Sequence, residues 1–97
     1  MGMASSIKTS RLKWLEERED RMITPLSGSI AELEYDDPDA MYDILRMRFR
    51  KIVEMALDSP HPKRELEGRM LREERILYRH LCSIFRDYDK LLRRMLK

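Results

Sequence analysis

Apolar residues recur at intervals of three and four along the end of the chain, from Met70 to Leu96. They fill three neighbouring positions of a seven-residue repeat, which places them on one side of an α-helix. Three such positions make a face wide enough for two or more partner helices. The pattern predicts a C-terminal helix about 40 Å long, the spine of a helical bundle. The positions hold Met70, Leu71, Glu74, Leu77, Tyr78, Leu81, Ile84, Phe85, Tyr88, Leu91, Leu92 and Met95, of which only Glu74 is polar.

A second helix pattern occupies the middle of the chain. Asp37 followed by Pro38 predicts a helix start, with an acidic cap and proline in the first turn. The helix is expected to run to about Leu57, before two closely spaced prolines in residues 59–62. Its predicted apolar stripe consists of Tyr42, Leu45, Phe49, Ile52 and Ala56, while Met41, Ile44, Met47 and Met55 lie off that stripe.

Two shorter helices are predicted before it. The first begins between Ser5 and Ser10 and is ended by Pro25, since the residue before a proline is pushed out of the α region. The second runs from Ile30 to about Tyr35. Residues 1–97 are therefore expected to form one all-α domain, a small bundle of about four helices with a long C-terminal helix.

The composition fits such a bundle and limits where the protein works. Hydrophobic residues make up 42% of the chain and charged residues 39%, with a net charge of +2. Residues 1–58 carry a charge of −3 and residues 59–97 a charge of +5. This uneven distribution suits docking between charged proteins, and it suits nucleic-acid binding equally well. The single cysteine indicates an intracellular, cytoplasmic protein, and no apolar run is long enough for a membrane span.

No arrangement of residues in the sequence predicts catalysis, a metal or a cofactor. His61 and His80 are far apart, and His80 and Cys82 point to different sides of one helix. The glutamates of two mixed-charge segments are expected on solvated helix faces: Glu16, Glu17, Glu73 and Glu74. The protein is therefore predicted not to be an enzyme, and Cys82 is expected to be a structural thiol.

Four basic residues are candidate contacts to a charged partner: Arg46, Arg48, Arg50 and Lys51. They belong to the helix predicted from Pro38 to about Leu57, which is the third in chain order. They scatter around the helix, whereas a nucleic-acid interface usually shows one basic face. Arg48 lies close to the apolar stripe and is expected to reach a carboxylate inside an interface. A small helical protein that binds nucleic acid stays open as an alternative.

The wide face of the last helix is the candidate subunit interface. The C-terminal end of this helix is expected to extend beyond the core of the domain and to be covered by another subunit. The candidate interface residues are Leu77, Ile84, Leu91, Leu92 and Met95.

Three stretches of this chain resemble the helical domain of the archaeal GINS proteins, in the subunit type whose helical domain comes first. A charged helix runs into a Leu-x-Pro-Leu-like segment, an arginine-rich helix ends in an Ala-Leu pair, and a last long helix opens with Leu-x-x-Glu-Glu-x-x-Leu-Tyr. These stretches are Glu16 to Arg21 with Ile23 to Leu26, Arg48 to Ile52 with Ala56 and Leu57, and Leu71 to Tyr78.

The resemblance implies a non-catalytic scaffold at the DNA replication fork. Such subunits form homo- or hetero-tetramers and link the MCM helicase with a Cdc45/RecJ-like protein and replication enzymes, without entering a membrane. The family usually adds a small β-rich C-terminal domain that these 97 residues do not contain, which implies a shortened chain or a reduced member. Arg72 replaces the usual Ser/Thr cap, so the last helix is expected to begin earlier, near Gly68.

Overall fold

The structure, a computed structural model, describes residues 6–96. It is all-α with a long C-terminal helix, as the sequence predicted. The first helix begins at Thr9, within the predicted range from Ser5 to Ser10, of which Ser5 itself lies outside the described residues. In the described range the only pairing of β type is an isolated bridge between Ile7 and Tyr35. The elements are α1 (Thr9–Arg18), a 3₁₀ turn (Ile30–Glu32), α2 (Pro38–Asp58), α3 (Arg64–Glu67) and α4 (Arg72–Met95).

The middle helix, α2, begins where the sequence predicted. The Asp37 carboxylate accepts the amide N–H groups of Asp39 at 3.1 Å and Ala40 at 3.4 Å, and Pro38 takes the first helical position. These bonds satisfy amides that have no partner within the helix. The cap therefore fixes the point at which the chain turns into α2.

Helices α1 and α2 run in the same direction along the bundle. Lys13 lies 3.6 Å from Asp43, and Glu16, one turn further along α1, pairs with Arg48, one turn further along α2. Thr9 ties the two starting ends together, because its amide and hydroxyl both donate to a carboxylate oxygen of Asp36.

Helix α4 packs on α2 and also runs parallel to it. Arg48 pairs with Glu74 at the start of α4, and Arg86, three turns later, donates to the carbonyl of Pro60 just past the end of α2. Because all three long helices are parallel, each connection has to return along the bundle. These returning segments, residues 19–37 and 59–71, complete the core.

The core has two parts, one at each end of α2. The part between α1 and the start of α2 contains Leu12, Met41 and Ile44, with Leu26, Leu33 and Leu45 packed against it. The part between α2 and α4 contains Ile23, Ile52, Ala56, Met70, Tyr78 and Cys82, with Leu66, Leu81 and Phe85 packed against it.

The first helix is shorter than the sequence predicted, since α1 ends at Arg18 and not before Pro25. After residue 18 the chain crosses the bundle, and its carbonyls bind side chains of other elements. The Arg69 guanidinium, for example, donates to the carbonyl of Ile23 at 3.1 Å. A proline marks the latest point at which a helix can end, and here tertiary hydrogen bonds end it earlier.

The second predicted helix is a single 3₁₀ turn, Ile30–Glu32, and does not reach Tyr35. Glu73 of α4 accepts hydrogen bonds from the hydroxyl of Ser29 and from the first amide of the turn, the latter at 2.8 Å. Beyond the turn the chain is extended, because Tyr35 pairs with Ile7. Contacts with distant segments thus replace further helical turns.

Helix α4 begins at Arg72, and the earlier start near Gly68 was wrong. A short helix, α3, ends before this glycine, and the chain then turns so that Met70 and Leu71 are fully buried. The amide of Leu71 donates to Glu74 at 2.9 Å, which satisfies one free donor at the helix start.

The buried face of α2 is rotated by about one residue, roughly 100°, from the predicted stripe. Tyr42 is 60% exposed and Phe49 is 42% exposed, so the stripe was wrong at these two positions. The true core face carries two cationic side chains, which an apolar pattern cannot show. Its residues are Met41, Ile44, Arg48, Lys51, Ile52 and Ala56.

Candidate functional site

The first half of α4 is an ordinary core helix. Tyr78 and Cys82 are fully buried, and Leu81 and Phe85 are partly covered. The hydroxyl of Tyr78 also accepts the amide N–H of Lys63 at 3.2 Å. This half is held by α2 on one side and by the returning segment 59–71 on another.

The second half of α4 stands clear of the bundle. Every residue from Asp87 to Leu96 is exposed, over a length of about 15 Å. The apolar positions nevertheless continue, with Tyr88 59% exposed and Met95 71% exposed. We call the residues of this surface the overhang face: Ile84, Tyr88, Leu91, Leu92 and Met95.

The structure places four of the five predicted interface residues on the overhang face and adds Tyr88 to them. Leu77, the fifth, is half-buried one turn before Leu81, at the edge of the bundle. A contiguous exposed apolar surface on one helix is typical of a protein–protein contact. That these residues bind a subunit remains a prediction, because the structure contains one chain.

The opposite side of α4 is basic. Arg72, Arg79, Arg86 and Arg93 recur every seven residues, facing away from the overhang face. Two of the four charges have a carboxylate partner: Arg79 pairs with Glu67 at 2.7 Å, and Arg93 pairs with Asp89 at 2.8 Å. The basic row is therefore partly neutralised along its length.

A buried ionic cluster lies at the centre of the bundle and is built around Arg48. Its guanidinium donates to Glu74 at 2.9 and 2.8 Å and to Glu16 at 3.0 Å, and it also reaches the backbone carbonyls of Thr24 and Arg69. Burial alone would lower the pKa of Arg48, but the two carboxylates outweigh burial and hold the pKa above its ordinary value. One side chain thus joins α1, α2, α4 and both connecting segments.

Lys51 extends the cluster from the next turn of α2. Its ammonium group lies 2.7 Å from a carboxylate oxygen of Glu16, and it also donates to the carbonyls of Glu16 and Met22. Among the residues that the structure describes, no buried side-chain nitrogen or oxygen lacks a hydrogen-bond partner. Satisfying every group in this way offsets the cost of removing the charges from water.

This cluster corrects two of the candidate charged contacts. Arg48 is fully buried and Lys51 is 9% exposed, so both act inside the domain and not on a partner. Arg46 and Arg50 are exposed, and their predicted role stays a prediction. Arg46 stacks on the ring of Tyr42, with its guanidinium 5.9 Å from the ring centroid.

The carboxylates of the cluster were predicted on solvated faces, and that expectation was wrong for Glu16 and Glu74. Glu16 is 1% exposed and Glu74 is 6% exposed. The sequence did contain a signal, because Glu74 is the only polar residue in the apolar positions of the last helix and Arg48 borders the apolar stripe. An acid and a base that both fall on core faces are best explained as a pair.

The remaining candidates for chemistry, Cys82, His61 and His80, differ in burial. Burial raises the pKa of the Cys82 thiol, which disfavours the reactive thiolate. His61 and His80 are both exposed. Within residues 6–96, no three His, Cys, Asp or Glu side chains are grouped so as to hold a metal ion.

Within residues 6–96, no helix combines the length and apolar character needed to cross a bilayer.

Comparison with known proteins identifies no relative of this chain. No family model matches it, and neither a curated protein nor a solved structure is similar to it.

Proposed function

We propose that this protein is a non-catalytic assembly subunit whose overhang face binds another helical chain. The observation that carries the proposal is the uncovered second half of α4, where the apolar repeat continues although α2 and its connections end near Arg86. Apolar side chains on a helix of this kind are stabilised by packing against a partner. A second helix along the overhang would bury them.

We propose further that the subunit is of the archaeal GINS type and acts at the replication fork. The buried cluster supports this assignment, because each of the three family-like stretches supplies part of it. Glu16 and the Thr24 carbonyl come from the first stretch, Arg48 and Lys51 from the second, and Glu74 from the third. The three stretches thus share one structural task in this chain.

On this proposal the partners are other GINS subunits, the MCM helicase and a Cdc45/RecJ-like protein. The overhang face would serve the contact between subunits, since it is formed by exposed apolar side chains on one helix. Arg46 and Arg50, which remain exposed on α2, would contribute charged contacts at the rim of an interface.

Light scattering coupled to size exclusion tests the assignment. The chain is run alone and with a GINS subunit of the second type, whose helical domain comes last, from the same organism. A complex larger than either component supports the GINS proposal. If the chain does not bind that subunit at micromolar concentration, the GINS proposal is wrong.

A second candidate is a small nucleic-acid-binding protein, and the row of arginines along α4 favours it. Arg72, Arg79, Arg86 and Arg93 span about 32 Å of helix, which matches several phosphates along a backbone. Titration of a DNA duplex at increasing salt separates the two functions. Affinity that falls steeply with salt favours nucleic acid, because neutralised phosphates release counterions.

A further inference from the structure

The residues that border the overhang face are asymmetric. On one border, one position before Tyr88 and Met95, stand Asp87 and Arg94, with opposite charges and seven residues apart. On the other border, one position after Ile84 and Leu91, stand two apolar side chains: Phe85, which its own bundle partly covers, and Leu92, which is itself part of the overhang face. A partner helix therefore meets one charged border and one apolar border.

This asymmetry distinguishes the two ways in which identical helices can pair. In a parallel pair the charged border of each helix faces the apolar border of the other, so Asp87 and Arg94 would lie against apolar side chains. In an antiparallel pair like borders meet. Asp87 of one chain then lies beside Arg94 of the other, and the two-fold symmetry forms this pair twice.

The apolar residues match in the same register. When Asp87 faces Arg94, Ile84 of one chain packs near Met95 of the other, and Tyr88 packs near Leu91. Phe85 and Leu92 meet on the apolar border. In the single chain both charges are exposed, and within residues 6–96 neither forms an ion pair.

The shape of the protein leaves room for this arrangement. The bundle ends near Arg86, where the guanidinium meets the Pro60 carbonyl, and of the elements that the structure describes only α4 continues beyond it. Two overhangs that overlap over residues 84–95 keep the two bundles at opposite ends of the shared segment. The tip of each helix then reaches the edge of the other bundle.

From these observations we infer that the overhang face binds a second copy of this chain, as an antiparallel α4–α4 pair held in register by two Asp87–Arg94 contacts. The inference rests on the assembly role proposed above and names its partner. The shared segment is about 12 residues per chain, smaller than a standard interface, so the dissociation constant is expected to be on the order of 10 μM.

Charge exchange between the two border positions tests the orientation by sedimentation velocity over a range of concentrations. Asp87→Arg places two like-charged pairs in the dimer, and so does Arg94→Asp. Each variant alone is expected to dimerise about tenfold more weakly than the unchanged chain. The double variant, with both exchanges, restores the opposite charges and is expected to return to within about threefold of the unchanged affinity.

Mixing the two single variants gives a second readout of the same geometry. In a mixed dimer one chain carries arginine at both positions and the other carries aspartate at both, so both contacts form. Native mass spectrometry, which resolves the mixed dimer from the two homodimers, is expected to show mainly the mixed species. All variants are changed only at exposed positions, and circular dichroism at low concentration checks that each one folds.

Three results would overturn the inference: a chain that is monomeric at 100 μM, about ten times the expected dissociation constant, single variants that dimerise normally, or a double variant as weak as the single ones. These outcomes are separate from the GINS proposal. If the charge exchange gives the expected affinities but the chain does not bind the second-type subunit, the α4 pair is supported and the GINS assignment is wrong. If the chain is always monomeric but binds that subunit, the GINS assignment is supported and the α4 pair is wrong.

Discussion

The two halves of α4 carry the same apolar repeat but have different surroundings. In the first half the repeat is covered, and Tyr78 is fully buried. In the second half, ten residues later, Tyr88 occupies a similar apolar position and is 59% exposed. The repeat alone therefore does not tell which part of a helix belongs to the core of its own chain.

The difference between the halves comes from the length of the neighbouring elements. Helix α2 ends at Asp58, and the returning segment covers α4 only as far as Arg86. The first half is also fixed by Glu74, which binds Arg48 in the buried cluster. The second half has no contact of this kind, so its apolar side chains are available to another chain.

The largest effect is expected from breaking the cluster that holds the first half in place. Arg48→Met leaves the Glu74 and Glu16 carboxylates in the core without their main cation, and we expect the free energy of unfolding to fall by about 3–5 kcal/mol. Urea denaturation monitored by circular dichroism measures this loss. Arg46→Met, an exposed change on the same helix, is the control and is expected to change stability by no more than about 0.5 kcal/mol. Equal effects of the two variants would show that the cluster does not hold the bundle together.

The reverse result is expected from changes in the second half. Leu91→Asp combined with Met95→Asp places two charges on the overhang face and should weaken self-association more than tenfold, on the order of 1.4 kcal/mol or more. The unfolding transition at low concentration should change little, because both residues are exposed in the single chain. Leu57→Asp, at an exposed apolar position on α2, is the matched control and should leave association intact. If the double variant is unfolded, the overhang face belongs to the core and the contrast between the halves is lost.

A smaller change compares the same residue type in each half. Tyr78→Phe removes the hydroxyl that accepts the Lys63 amide, and the free energy of unfolding should fall by about 1 kcal/mol. Tyr88→Phe removes an exposed hydroxyl and should leave stability unchanged. Thermal denaturation of both variants at one low concentration makes the comparison. A similar melting temperature for the two would place their hydroxyls in equivalent surroundings.

The smallest effect concerns stability against acid at the end of the bundle where α1 and α2 begin. Hydrogen bonds from the side chain and backbone of Thr9 lower the pKa of Asp36 below its ordinary value of 3.8. The unfolded chain therefore binds this proton more readily, so the stabilisation is present above pH 3.8 and is lost as the pH falls through the lowered pKa. Asp36→Asn should remove this part of the pH dependence. Urea denaturation between pH 2.5 and pH 5, a range chosen around the ordinary carboxyl pKa, should give a shallower curve for the variant, and an unchanged curve would contradict the assignment.

The hydrophobic pattern predicted the long elements and the class of fold. Helix α4 and the bounds of α2 follow from regular spacing and from the Asp37–Pro38 start, which are local signals. The end of α1 and the 3₁₀ turn could not be predicted in this way. Their bounds depend on a hydrogen bond that Arg69 donates and on one that Glu73 accepts, and both residues lie more than forty residues away in the chain.

The charged residues show the same limit more clearly. A pattern that separates apolar from charged positions predicts the surface for Glu16 and Glu74, although both lie with Arg48 at the centre of the bundle. Their burial is possible because each charge meets its opposite, and this depends on three segments arriving at one point. The overhang face, in contrast, was predictable from the width of the apolar repeat and the lack of a second long stripe to cover it.

Hydrogen–deuterium exchange of α4 at two protein concentrations, about 1 μM and 100 μM, tests most directly whether its second half is completed by another chain. Amides in residues 88–95 are expected to exchange more slowly at the higher concentration, because pairing protects them. Amides in residues 74–82 should exchange at the same rate at both, since their own bundle protects them. If residues 88–95 exchange at one rate regardless of concentration, even when the second-type subunit is added, the overhang face is not a binding surface and the central claim is wrong.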